Sequence, residues 1–330
     1  MSAPSSTAPS ASPLHALLAR VNLQQYVVYV GFLAIFLFFA IVLGDSGFLT
    51  QRNLVNILLQ TAPATIMAIG LVFVLSAGEI DLSFGSTVAV SALCGAMAMA
   101  AVPQAALPVG VAAGIGTGLL VGAINGALIA WLRLPSFLVT LATMGLVSGI
   151  ARSLTQLRSI PVTDPLFTGI FGSGTLFGIP SLIIWTLVAA VICHVAYRQT
   201  RFGAHVLATG DNARAAQVSG IKVTRIRLLV FMISGGLAGL AGLLYSGRLQ
   251  AAKYTLGETD LMTVIAAVIV GGTLLNGGKG SIIGAIVGSL LMGMLNNGLI
   301  LMGLSVSDQM IVRGLIILVA VAVSLREKSR

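Results

Sequence analysis

Ten apolar runs, each about as long as a bilayer is thick, leave this chain little choice of fold. A hydrocarbon core of about 30 Å takes about 20 helical residues, with a range of roughly 17–25. On that measure the runs fall at 26–43, 54–77, 85–102, 108–132, 136–152, 180–197, 228–246, 261–276, 281–303 and 308–325. In lipid every peptide group must find its partner within the protein, so such runs become helices. The expected fold is therefore an all-α polytopic membrane protein with about 10 transmembrane helices. Charge agrees, since only 8% of the residues are charged against roughly 25% in soluble domains.

Residues 1–19, MSAPSSTAPSASPLHALLA, carry no charge and are rich in Ser, Ala and Pro. They read as a disordered cytoplasmic tail ahead of a single transmembrane domain, 20–330. The basic segment of a signal peptide is missing, and no small-residue cleavage site follows the first apolar run. An even number of spans puts both termini on one side. With the ends inside, the cytoplasmic segments hold 12 of the 18 Lys and Arg, and the other side holds 6. Lys and Arg are retained in the cytoplasm, so N and C termini are expected there. The loop 198–227 alone holds Arg198, Arg201, Arg214, Lys222, Arg225 and Arg227. A net charge of +9 is no sign of nucleic acid here, because these residues flank apolar runs as topology signals do. Cys94 and Cys193 lie inside apolar runs, and the three histidines are scattered. No metal site, disulfide framework or nucleophile–base pair is expected, and hence no catalytic residue.

Four segments interrupt the apolar pattern. The first, Ser76 to Ser86, carries Glu79 and Asp81 beside hydrocarbon, where a carboxylate costs about 2.5–3.5 kcal/mol at a helix centre. Positions i and i+2 stand about 200° apart on a helix, so the two acids cannot share a helical face. Gly78 and Gly85 predict a break, and Asp81 or Ser83 can cap the span that follows. Glu79, Asp81 and Ser83 are thus candidates for a gate on the transport path, with Asn125 and Asn296 as polar residues inside spans. Thr140, Thr143 and Asn297 are of the same kind, and each can equally bridge helices.

The second segment, Gly210 to Ile221, has helix punctuation. Asp211 or Asn212 can cap, Ala213 to Val218 form helix, and Gly220 can end it. Two turns are not stable alone in water, so a partner surface or the membrane ends must hold them. Asp211, Asn212, Arg214, Ala215, Ala216, Ser219 and Gly220 are the candidates for docking. The third, Gly272 to Ser281, fails the nucleotide-loop pattern, since Thr273 stands for the first Gly and Gly280 for the Ser/Thr after Lys279. Any ATP is bound by another chain. The fourth group, Arg152, Arg158, Arg248 and Lys253, falls on the non-cytoplasmic side, where such charges can steer a soluble partner.

Glycines recur every fourth residue from Gly110 to Gly126, from Gly280 to Gly288, and at Gly235 and Gly239. Such stripes let helix backbones approach closely, and static packing is their expected role. A weak similarity links SFGSTVAV (83–90) with GKGSIIGAI (278–286).

Together, GEIDLSFGS (78–86), LPSFLVTLATM (134–144), TRFGAHVLATGDNARAAQVSGIKVTRIR (200–227) and VIVGGTLLNGGKGSIIGAIVG (268–288) resemble the membrane permease subunits of ribose-type ABC sugar importers. The resemblance covers about residues 45–325. It implies a permease of the bacterial inner membrane that is no enzyme itself. It implies a second permease copy, identical or paralogous, and a periplasmic binding protein, which Arg152, Arg158, Arg248 and Lys253 could meet. It implies an ATP-binding subunit that supplies ATP and Mg, with 211–220 as the segment resting on it. The cargo would be a small sugar or polyol such as ribose, xylose, galactose or inositol. Glu79 stands where the family usually has glycine. The alternative is an ion-coupled secondary transporter that uses Glu79 or Asp81 as its ion site.

Overall fold

The computed structural model of the chain describes residues 23–312, 314, 315 and 318. The tail 1–19, most of the tenth expected run and the two chain ends lie outside the described residues. The helices in chain order are α1 (Leu23–Val42), α2 (Gln51–Ser76), α3 (Phe84–Ala101), α4 (Ala106–Trp131) and α5 (Ser136–Thr155). A one-turn α6 (Pro165–Thr168) and α7 (Ser181–Arg198) follow. Then come α8 (Arg201–Asp211), α9 (Ala213–Val218), α10 (Val223–Leu249), α11 (Asp260–Val270) and α12 (Ile282–Leu301). The only strands among the described residues are two-residue pieces. Ile160–Pro161 pairs antiparallel with Ala251–Ala252, and Thr175–Leu176 with Ile179–Pro180.

Among the described residues, seven helices are long and apolar enough to cross a membrane: α2, α3, α4 with the 3-10 turn before it, α5, α7, α10 and α12. The apolar helices α1 and α11 occupy the first and eighth expected runs. The fold is a polytopic all-α membrane protein. Helix α10 is its centre and packs on α4, α2 and α3, while α2 also packs on α12, α7 and α11. Lipid-length windows are 78% buried in α2 and 22% buried in α5 and α7. The last two therefore lie at the rim, with Leu138, Leu146, Leu187 and Ile192 exposed.

The α4–α10 contact is made by the glycine stripes. A methyl at Gly118 would collide with the carbonyl of Gly235, and one at Gly122 with that of Phe231. Gly284 faces Gly271, just past the end of α11, and Gly288 faces Ala267 on α11, in the same way. With no hydrophobic drive between helices in lipid, this backbone proximity supplies the attraction.

Two findings correct the reading of the sequence. The eighth run does not stay helical to 276, because α11 stops at Val270. Gly272 has φ +87°, and the Gly272 and Thr273 amides donate to Ile269 and Val268 at 2.9 and 3.1 Å, a Schellman ending. Helix α2 ends the same way, with Gly78 at φ +78° and the Gly78 and Glu79 amides donating to Leu75 and Val74 at 2.9 and 3.1 Å. The loop 198–227 also holds two helices rather than one, α8 as well as the expected short helix.

The two apolar hairpins, α2–α3 and α11–α12, thus turn through extended loops, 77–83 and 271–281, at the end that carries 198–227. The weak similarity between 83–90 and 278–286 falls on the second arm of each hairpin. Its register is one turn off, since it places Ser86 on Ser281 while the residues before α3 and α12 are Ser83 and Ser281.

Candidate functional site

The short helix α9 is built to stand out from the surface. Asn212, not Asp211, caps it, its Oδ1 accepting from the Ala215 amide at 3.0 Å. Asp211 is the last residue of α8. At the far end Gly220 takes φ +86°. There the Gly220 and Ile221 amides donate to Gln217 and Ala216, both at 3.0 Å, which closes the helix with a Schellman motif. Ala216 points inward at 5% exposure, whereas Val218 is 86% exposed. Asp211, Asn212, Arg214, Ala215, Ser219 and Gly220 are also exposed. Val218 is thus an exposed apolar side chain among polar and small ones.

Helix α8 ties this projection to the membrane part. Its Gly210 lies against Gly78 and Gly277, and a methyl there would strike the Ser76 carbonyl. The Gly278 amide donates to that same Ser76 oxygen at 3.1 Å. So α8 touches both hairpin loops at one point, where each chain passes as bare backbone.

Just above, the two acids go separate ways. Glu79 pairs with Arg227 at the start of α10, Oε1 to Nε 2.6 Å. Asp81 turns inward and is 3% exposed. Its Oδ1 accepts from the Ser83 amide (2.9 Å) and hydroxyl (2.7 Å), and its Oδ2 from Ser234 (3.0 Å). Asn125 donates to the Ser83 oxygen at 2.8 Å and accepts from Thr143 at 2.7 Å. The Ile80 amide donates to Ser136 (3.0 Å), and its carbonyl accepts from Thr140 (3.1 Å). One polar network therefore fixes loop 77–83 to α4, α5 and α10. Asp81 collects the first donors ahead of α3, while Ser83 occupies the cap position without a side-chain cap bond.

Ser234, Ser136 and Arg227 were not singled out as site residues in the sequence. Their roles arise only through packing of segments far apart in the chain. The remaining candidates fall elsewhere. Asn297 exchanges amide bonds with Asn53 at 2.9 and 3.0 Å, bridging α12 to α2. Asn296 lines a polar cavity with Arg248 at the opposite end. There too Arg152 holds Glu258 at 2.9 Å and stacks over Tyr254, so it is engaged within the chain. Arg158 and Lys253 are exposed. Among the described residues no group of His, Cys, Asp and Glu could hold a metal ion.

A bundle of apolar helices, broken at two hairpins and carrying an exposed helix over the breaks, defines a multi-pass membrane protein. The chain belongs to the family described as "Branched-chain amino acid transport system / permease component", whose model matches residues 53–321. It is 39% identical to the ribose import permease protein of Bacillus subtilis (strain 168) over 304 residues, 90% of this chain and 92% of that one. It is 39% identical to the ribose import permease protein of Escherichia coli (strain K12), covering 84% and 87% of the two chains. To the xylose transport system permease protein of Haemophilus influenzae it is 32% identical, covering 95% and 99%. No solved structure matches it. The resemblance read from the four sequence motifs holds over most of the chain.

Proposed function

We propose that this chain is the membrane permease of an inner-membrane ABC importer for a small sugar or polyol. Two copies form the path, a separate ATP-binding subunit docks on 211–220, and a periplasmic binding protein delivers the cargo to the other face. The relatives named for ribose and xylose import support the cargo class. One observation carries the mechanism: the exposed α9 follows directly on α8, whose Gly210 packs closely against both hairpin loops.

ATP binding by the partner would shift α9 and α8 together. Because Gly210 presses on 77–83 and 271–281 at once, the shift tilts α2, α11 and α12 against the fixed α4–α10 pair. Access alternates because the partner binds the two arrangements unequally. The Asp81 network anchors loop 77–83 to α4, α5 and α10, so α2 pivots where it enters that loop, at Gly78. Arg158 and Lys253 are the exposed outer cations for steering the binding protein, whereas Arg152 is already committed to Glu258.

Ion coupling fits the acids less well. Glu79 already faces Arg227, and both Asp81 oxygens accept hydrogen bonds. It predicts uptake by the isolated chain on an ion gradient, abolished by Asp81→Asn. The deciding experiment is gentle purification of the tagged chain. An ATP-binding subunit should come with it and be lost when 211–220 becomes a Gly-Ser linker. A chain that purifies alone and takes up sugar on an ion gradient would overturn the proposal.

A further inference from the structure

Away from the coupling end, a cavity of about 210 Å³ lies between α2, α10, α11 and α12. Gln60, Tyr245, Arg248, Asp260, Ser289 and Asn296 supply its polar walls, and Val264 and Met292 are among its apolar ones. Its depth follows from the helices. Gln60 stands nine residues into α2, about 13 Å along its axis. Ser289 hydrogen bonds Thr65 at 2.7 Å in the middle of α12. Asp260 is the first residue of α11. The cavity thus reaches from the outer end of the bundle toward its middle.

Such a site is costly in a membrane unless something uses it. Ionisable side chains within the membrane are rare, and those that persist mark substrate pathways. Here a carboxylate and a guanidinium line one space, and the Tyr245 hydroxyl donates to Asp260 at 2.6 Å, spanning α10 and α11. Helix α11 has only 11 residues, about half the length needed to cross. Broken helices of this kind border the binding sites of transporters.

The lining selects among cargoes. The carboxylate and the guanidinium balance, so the lining carries no net charge to favour an ion. Two amides, a carboxylate, a guanidinium and hydroxyls offer donors and acceptors around one volume, which is what vicinal hydroxyls require. The patches of Val264 and Met292 suit the C–H face of a sugar ring.

We infer that this cavity is a transit site holding a neutral polyol, with Gln60, Asp260 and Asn296 as contact residues. The inference rests on the sugar-importer reading. The test uses the complete transporter in proteoliposomes, with its ATP-binding subunit and binding protein, and radiolabelled D-ribose and D-xylose. Asn296→Leu, Gln60→Leu and Asp260→Asn should each cut sugar uptake at least tenfold. Hydrolysis stimulated by the loaded binding protein should stay within twofold of wild type, so that more ATP is spent per sugar moved. Unchanged uptake in all three would overturn the site. So would uptake and hydrolysis falling in proportion, since that marks a structural role. A wild-type transporter that moves radiolabelled leucine but neither sugar would instead overturn the sugar reading itself, and the transit site with it.

Discussion

Gly220 carries a backbone that a β-branched residue cannot take cheaply. Its φ is +86°, and a side chain in that left-handed region costs about 1–2 kcal/mol. Open space surrounds it, so the penalty is conformational and not a clash. Gly220→Val should therefore loosen the end of α9 without disturbing the spans. The expected outcome is normal abundance in the membrane with sugar uptake reduced severalfold, and Gly220→Asn should be milder because Asn tolerates this conformation. Equal uptake by wild type and the Val variant would show that α9 need not be closed. The Glu79–Arg227 pair makes a second residue-level prediction. Glu79 is nearly buried and Arg227 is 30% exposed, so removing either partner leaves a poorly solvated charge. Glu79→Gln and Arg227→Gln should each lower the thermal midpoint in detergent. The double variant should lose less than their sum, by a coupling of about 0.5–3 kcal/mol. Strict additivity would mean that the pair does not hold the loop.

Between elements, the α4–α10 seam is the contact most exposed to a single change. Gly118→Leu drives a side chain into the Gly235 carbonyl, and overpacking of this kind costs about 1–3 kcal/mol or more. Gly116, on the same helix, has open space around it. Gly116→Leu should leave the melting temperature unchanged while Gly118→Leu lowers it or abolishes folded yield, and the reverse order would refute the seam. The glycine stripes were visible in the sequence because their spacing is a helical period. The long spans were visible because bilayer thickness sets their length. Helix α8 was not, since residues 201–211 mix Arg, Phe, Gly and His without an apolar run. The end of α11 was hidden by the apolar residues that run on past Val270, although Gly271-Gly272 was the available sign. In the site, Asp81, Ser83 and Asn125 could be named one by one as polar residues in apolar surroundings. That they form a single network with Ser234 and Thr143 depends on how α4, α5 and α10 pack, which no local pattern encodes.

For the whole molecule, the two ends differ in more than charge. One end carries Arg198, Arg201, Arg214, Lys222 and Arg225, all exposed, around α9. The other carries Arg158 and Lys253 exposed, with Arg152 tied down by Glu258. Retention of Lys and Arg on the cytoplasmic side predicts that the α9 end faces the cytoplasm, and with it which partner each end can meet. An ATP-binding subunit reaches only the cytoplasmic face, so the docking reading of α9 and the orientation stand or fall together. Ser219 lies at the tip of the α9 end and Lys253 in the loop at the opposite end, and both are exposed. With Cys94 and Cys193 replaced by serine and alanine, Ser219→Cys and Lys253→Cys can each be probed with a membrane-impermeant maleimide. The Lys253→Cys protein should be labelled in intact spheroplasts, and the Ser219→Cys protein only after permeabilisation. Labelling of Ser219→Cys from outside would invert the molecule. It would put α9 beyond the reach of any ATP-binding subunit and remove the mechanical link from Gly210 to the two hairpins as the route by which ATP drives transport.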